Sequence, residues 1–170
     1  MIKASHLRSH IVIPTLAYLA ETTGRKGIMT DGVVELIMGT IAHESHGGYY
    51  LRQHPTGPAR GIGQMEKETH DSLWEHQLKF RADLADAVRS LASPRSFHDE
   101  IPDSQEVIGN LNYAVAMIRV RYLPAPEPIP ASNDLPALAS YHVRYYNRGG
   151  SASVIDFIRD YRKYVKGEKV

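Results

Sequence analysis

At 170 residues with 42% hydrophobic side chains, the chain is long enough for one core and too short for two, so a single domain over residues 1–170 is expected. Twenty Lys and Arg stand against 19 Asp and Glu, and a formal charge of +1 supplies no field to hold nucleic acid or an acidic surface. The absence of cysteine excludes disulfides, a thiol nucleophile and a Cys-type zinc site, and the nine histidines are scattered from His6 to His142 rather than gathered in a metal-binding tract. No cofactor, no metal and no nucleic-acid partner is expected.

Residues 11–20 (IVIPTLAYLA) follow Arg8 and His10 and invite comparison with a secretory or anchoring segment. The run is about ten residues long against the roughly 20 that span a bilayer, and Pro14 interrupts it. Glu21 to Lys26 then follow without a small-residue cleavage pattern. A buried amphipathic helix is expected instead, with no clear signal peptide and no stable membrane insertion. Pro14 suits the first turn of a helix reaching about Thr22, ended by Gly24 and Gly27.

Thr30 is a candidate N-cap with Asp31 in the first turn. Val33, Val34, Ile37, Met38 and Ile41 then recur at helical spacing, so a second helix should run into Glu44. Residues 47–63 hold several Gly and two Pro beside Tyr49, Tyr50 and Leu51 and read as a loop or a short irregular hairpin. Residues 67–78 and 82–91 look helical. Asp103 or Ser104 caps a long helix with the stripe Val107, Ile108, Leu111, Ala114, Val115 and Ile118, ending before Pro124. Pro124, Pro126, Pro128 and Pro130 predict an extended crossing. Helices over residues 135–146, stopped by Asn147-Arg148-Gly149-Gly150, and from Ser151 or Ser153 to about Val165 complete a mainly α chain without convincing strand alternation.

Glu44 lies three residues beyond Ile41, so on a continuing helix it projects from the buried stripe. A partly desolvated carboxylate favours its protonated form, which a general acid requires. The bland reading is a helix-terminal Glu that bonds nearby backbone. Downstream, Gly57-Pro58-Ala59-Arg60-Gly61-Ile62-Gly63-Gln64-Met65 places small residues where backbone must turn tightly against something bulky. It lacks the Lys-Ser/Thr ending and the preceding strand of a phosphate loop.

Taken together, Glu44-Ser45 followed by Ala59 to Met65 and then Thr69 resembles the lytic transglycosylase and goose-type lysozyme family. That family shows Glu-Ser and then, roughly 15 to 20 residues later, Gly-Ala-x-Gly-Leu-Met-Gln, an aliphatic residue, Met, Pro, x and Thr. Gly61-Ile62-Gly63-Gln64 stands here for Gly-Leu-Met-Gln; Pro58, Gly63 and Glu66-Lys67 depart from the pattern. Ala137-Leu138-Ala139-Ser140-Tyr141 and Tyr146-Asn147-Arg148-Gly149 resemble the family's Ala-Leu-Ala-x-Tyr-Asn-x-Gly, split by intervening residues, and Asn110 to Ala114 resembles the start of its long core helix. The wording is most similar to wall-degrading domains encoded by bacteriophages.

The resemblance implies a lysozyme-like domain with an irregular loop or small hairpin beside an active-site cleft, the Glu44 helix on one side and residues 57–64 on the other. It implies that Glu44 protonates the oxygen between N-acetylmuramic acid and N-acetylglucosamine in peptidoglycan and then acts as base on the sugar's 6-hydroxyl, leaving a 1,6-anhydro end. A hydrolytic lysozyme using the same Glu44 is the alternative, with Glu66, in a segment that also holds Glu68 and Asp71, positioning a water. Ser45, Gly61, Gln64, Met65, Tyr141, Tyr145, Tyr146 and Asn147 are the implied substrate-binding positions, and which Tyr lines the site is open. Such a protein, made in the host cytoplasm, would reach the periplasmic wall through a holin as an endolysin or as a virion component.

Two other classes compete. His43-Glu44-Ser45-His46, with His70 or His142 as third ligand, resembles a zinc-peptidase helix, but its histidines are three apart where that motif needs four. The other is a non-catalytic wall-binding or virion module.

Overall fold

Thr30 accepts a hydrogen bond from the Val33 amide at 3.2 Å and so starts helix α3 (Asp31–Ser45), as its side chain predicts. In the computed structural model, which describes residues 2–147 and 152–169, α3 is the axis of the protein. Its stripe is wider than the sequence spacing suggests: Val33, Val34, Leu36, Ile37, Met38, Thr40, Ile41 and Ala42 are all buried, the pattern of a helix enclosed on nearly every side.

The first helix differs from expectation. It begins well before Pro14, as α1 (Ala4–Leu7), continues through a π turn over Arg8–Val12, and becomes α2 (Ile13–Thr23). The proline ring would press on the carbonyl four residues back in an unbroken α-helix; the widened turn just ahead of it takes up the extra width. Gly24, at φ 65°, ends α2 in the left-handed conformation that suits glycine.

After the loop, α4 (Lys67–His76) and α5 (Ala82–Leu91) form as expected. A two-residue hairpin pairs β1 (Phe97–His98) with β2 (Ile101–Pro102), too short to leave an alternation in sequence. The single helix expected beyond residue 103 is two: α6 (Glu106–Gly109) and α7 (Leu111–Arg121). Asn110 causes the break. Its Oδ1 accepts from the Tyr113 amide at 3.0 Å and caps α7, while its Nδ2 donates to the Leu91 carbonyl and to Glu106, both at 2.7 Å. The prolines at 124–130 carry an extended crossing to α8 (Leu135–Tyr145), which Asp134 caps, and Ser153 caps α9 (Val154–Tyr161). Residues 148–151, where the end of α8 and one start of α9 were expected, lie outside the described residues.

The chain is mainly helical, and among the described residues no helix is long and apolar enough to cross a membrane. One cluster of buried side chains runs from Leu7 to Tyr146. On one flank of α3, Gly39 faces Phe157 of α9 so closely that an added Cβ would sit 2.3 Å from the Phe157 Cζ. Phe157 is fully buried and packs in turn on His43 and His142, so its ring cannot easily retreat.

Gly39→Ala is therefore expected to lower thermal stability. Helix propensity favours alanine by about 1 kcal/mol, but overpacking at a fully buried ring costs about 1–3 kcal/mol. A thermal melt checks the sign, and a raised midpoint would show that the ring gives way freely.

Candidate functional site

Helix α3 ends where His46, Gly47 and Gly48 adopt left-handed backbone in succession, at φ 52°, 69° and 80°. The chain then reverses into the glycine-containing loop. Glu44 and Ser45 are thus held in the last helical turn, beside that loop. Ser45 is fully buried. Its hydroxyl lies 3.0 Å from the Ile41 carbonyl and 2.8 Å from the Ile62 carbonyl, and it accepts from the Gly48 amide at 3.0 Å.

Residues 60–65 form the tight turn that their small side chains imply. Arg60 pairs with Met65, Gly61 takes φ 70° and Gln64 takes φ 44°. A Cβ on Gly61 would lie 2.1 Å from the Val107 carbonyl oxygen, and one on Gly63 would strike Ile118 and the Tyr146 hydroxyl. The turn is pressed against α6, α7 and the end of α8, a closeness that only glycine permits. From the far side the buried Tyr146 hydroxyl donates to the Gly63 carbonyl at 2.6 Å.

Between these two anchors lies a polar cluster. Glu44 is sheltered but not sealed, its side chain 19% exposed, and its Oε1 stands 3.3 Å from Nε2 of His142 on α8. That contact is too poorly aligned to satisfy Nε2, which is buried without a hydrogen-bond partner. On the opposite edge of the ring, Nδ1 lies 2.9 Å from the Tyr122 hydroxyl, which lies 2.7 Å from Thr40 Oγ1, and that oxygen lies 2.8 Å from the Leu36 carbonyl. One arrangement puts a proton in every one of these contacts: Nδ1–H donates to Tyr122, Tyr122 to Thr40, and Thr40 to Leu36. Nε2 then directs a bare lone pair at Glu44. Burial lowers the pKa of His142 below the usual histidine value, and the neighbouring Glu44 carboxylate only partly opposes it. His43 behaves the other way: burial pulls it down, but Asp160, 2.8 Å from its Nδ1, together with Glu44 raises it overall.

The three stretches that resemble one family's motifs therefore meet at one place, with their residues in roles the sequence only partly indicates. Ser45, expected to orient the carboxyl or an acetamido group, has its hydroxyl engaged by backbone and fastens the helix to the loop. Met65 is buried in the core rather than on a wall, and Gly61 is packed on Val107. Gln64 is half-buried, with Nε2 donating to the Gly61 carbonyl at 2.8 Å, so it stiffens the turn. Tyr146 is the tyrosine beside Glu44's partner, its ring stacked on His142 at 5.2 Å. Tyr141 instead donates to the Glu127 carbonyl on the proline crossing, and Tyr145 packs on Tyr141. Asn147 is half-buried, and its backbone N–H donates to the His142 carbonyl at 3.2 Å.

The family resemblance does not place His142, His43 or Asp160 around Glu44; only the competing zinc-peptidase reading set His43 beside it and offered His142 or His70 as a third ligand. Only the four-residue interval from His142 to Tyr146 hinted that both share a face of α8. The zinc-peptidase arrangement fails at His46 and His70: His46 stacks on Tyr164 at 5.0 Å, and His70 lies between Asp71 and Tyr113. His46, Tyr49, Tyr50 and Tyr164 line a hollow of about 480 Å³ at the end of α3, with Tyr49 65% exposed. A larger cavity, about 770 Å³, bounded by residues such as Ile11, Arg95 and Asn110, contains none of the expected site residues. The chain matches no model of a known protein family, no curated protein and no solved structure.

Ser45→Ala is expected to destabilise the protein by about 1–3 kcal/mol, because it leaves the Ile62 carbonyl and the Gly48 amide without their shared partner. Urea denaturation reads this loss, and an unchanged midpoint would mean that the hydroxyl does not fasten the turn.

Proposed function

We propose that this chain is a peptidoglycan-cleaving enzyme of the lytic transglycosylase and goose-type lysozyme kind, with a lysozyme-like domain and Glu44 as its proton carrier. What carries the reading is convergence: Glu44-Ser45, the Gly61–Gln64 turn and the end of α8 are far apart in sequence and are joined by the Ser45–Ile62 and Tyr146–Gly63 bonds. A site assembled from those three segments is what the motif resemblance implies.

The chemistry follows from the groups present. Glu44, protonated, donates to the oxygen bridging N-acetylmuramic acid and N-acetylglucosamine as the β-1,4 bond breaks. The resulting carboxylate then takes the proton of the muramic 6-hydroxyl as that oxygen closes on the anomeric carbon, leaving a 1,6-anhydro end. One carboxylate serves both steps, whereas glycosidases that activate water generally use two. Of the acids in the following segment, Asp71 is bonded to Lys67 and His70, and Glu66 and Glu68 are exposed at the start of α4. This arrangement favours the transglycosylase over the hydrolytic lysozyme. His142, held by Tyr122 and stacked on Tyr146, gives the acid a fixed neighbour. The aromatic hollow beyond α3 offers exposed ring faces and hydroxyls, a surface suited to sugar.

In this reading the partner is the glycan strand of the bacterial wall, reached in a bacteriophage context through a holin or from within the virion.

Glu44→Gln keeps the size of the side chain and removes the transferable proton. Clearing of purified wall suspensions is expected to fall by about 10²–10⁴-fold. Equal clearing by the variant and the parent would refute the assignment of Glu44.

A further inference from the structure

We infer that His43, Glu44 and His142 form a binding site for one borderline-soft divalent cation of the zinc class, and that its occupancy silences Glu44. Ligand-type atoms of the three side chains all lie within 4.8 Å of one another. The one pair distance that bears directly on geometry fits: a tetrahedral ion with bonds of about 2.0–2.1 Å has ligand atoms about 3.3 Å apart, and His142 Nε2 stands 3.3 Å from Glu44 Oε1. His43 is half-buried, with a ligand-type ring nitrogen within 4.8 Å of the other two groups.

The second observation is the orphaned nitrogen. His142 is wholly buried and its Nε2 has no hydrogen-bond partner, although an unpaired polar atom in that setting is costly. With the proton on Nδ1 directed to Tyr122, Nε2 presents a lone pair to a carboxylate oxygen, and two acceptors facing each other need a proton or a cation between them. His43 is prepared in the same way: Asp160 holds Nδ1 and leaves Nε2 as the ligand atom. Each imidazole is thus oriented by a partner on its other nitrogen, as metal-binding histidines regularly are. Two imidazoles and one carboxylate suit zinc, whereas magnesium and calcium take oxygen ligands. The Glu44 side chain is 19% exposed, so solvent can supply a fourth ligand.

The zinc-peptidase run offers His142 only as one of two possible third ligands; here it takes the place of His46, because α8 brings it beside Glu44. A divalent cation bound to one carboxylate oxygen disfavours a proton on the other through its charge, so bound metal opposes proton transfer by Glu44. That silencing rests on the glycan-cleaving reading, whereas the binding itself does not.

Cobalt(II) titration of the full chain, followed by visible absorption, tests the site without reference to activity. One cobalt per chain with the intense bands of a four- or five-coordinate ion is expected, displaced by zinc. His43→Ala and His142→Ala should each weaken binding at least tenfold, and Asp160→Asn by about 10–100-fold. His43 is partly exposed, so its variant decides the matter even if the His142 variant does not fold. Cobalt affinity unchanged in His43→Ala, or only the weak bands of a hexahydrated ion, overturns the site. Zinc should slow wall clearing in step with its occupancy. Clearing that persists at full occupancy, or that a chelator abolishes, overturns the silencing. Should Glu44→Gln clear walls as well as the parent, the glycan reading falls and the silencing with it, while the cobalt spectra still decide the site.

Discussion

Two short bonds from side-chain hydroxyls to main-chain carbonyls hold the centre of this protein together. Ser45 reaches the Ile62 carbonyl from the end of α3, and Tyr146 reaches the Gly63 carbonyl from the end of α8. Successive residues of one tight turn are thereby pinned between two helices. The turn approaches that closely because Gly61 and Gly63 carry no side chain where Val107, Ile118 and Tyr146 press in. Glu44, one residue before Ser45, inherits its place from this clamp.

The same packing creates the unusual electrostatics beside Glu44. Tyr122, Thr40, Tyr146 and Phe157 enclose His142 and remove it from water, which pushes its pKa down and leaves one ring nitrogen unsatisfied. One residue before Glu44, His43 is pulled the opposite way by Asp160. A carboxylic acid with an imidazole lone pair at its side offers a place for a proton. On the proposed reading, proton and zinc-class cation compete for that place, and Glu44 acts only when the proton holds it.

Features set by neighbours in the chain were legible in the sequence. Thr30 and Ser153 each cap the helix that follows because their side-chain oxygens reach an amide three residues on, and α5 and the left-handed Gly24 follow from equally local rules. Features set by distant contacts were not. Pro14 lies within a continuous helical run because a π turn makes room for it, and Asn110 breaks a helix because the Leu91 carbonyl and Glu106 draw its amide away. At the site, the residue types of the motif were legible and their roles less so. Ser45 and Met65 look like ligand contacts until burial turns one toward backbone and the other into the core. His142 has no part in the glycan-cleaving motif, and the packing of α8 against α3 brings it to Glu44.

The central claim is that Glu44 carries a proton to a sugar bridge and takes another from the same sugar. Mass spectrometry of the fragments released from purified peptidoglycan reads that chemistry in the product. Fragments ending in 1,6-anhydro-N-acetylmuramic acid are predicted. Glycan strands left uncut, with only the peptide stems shortened, would contradict the account.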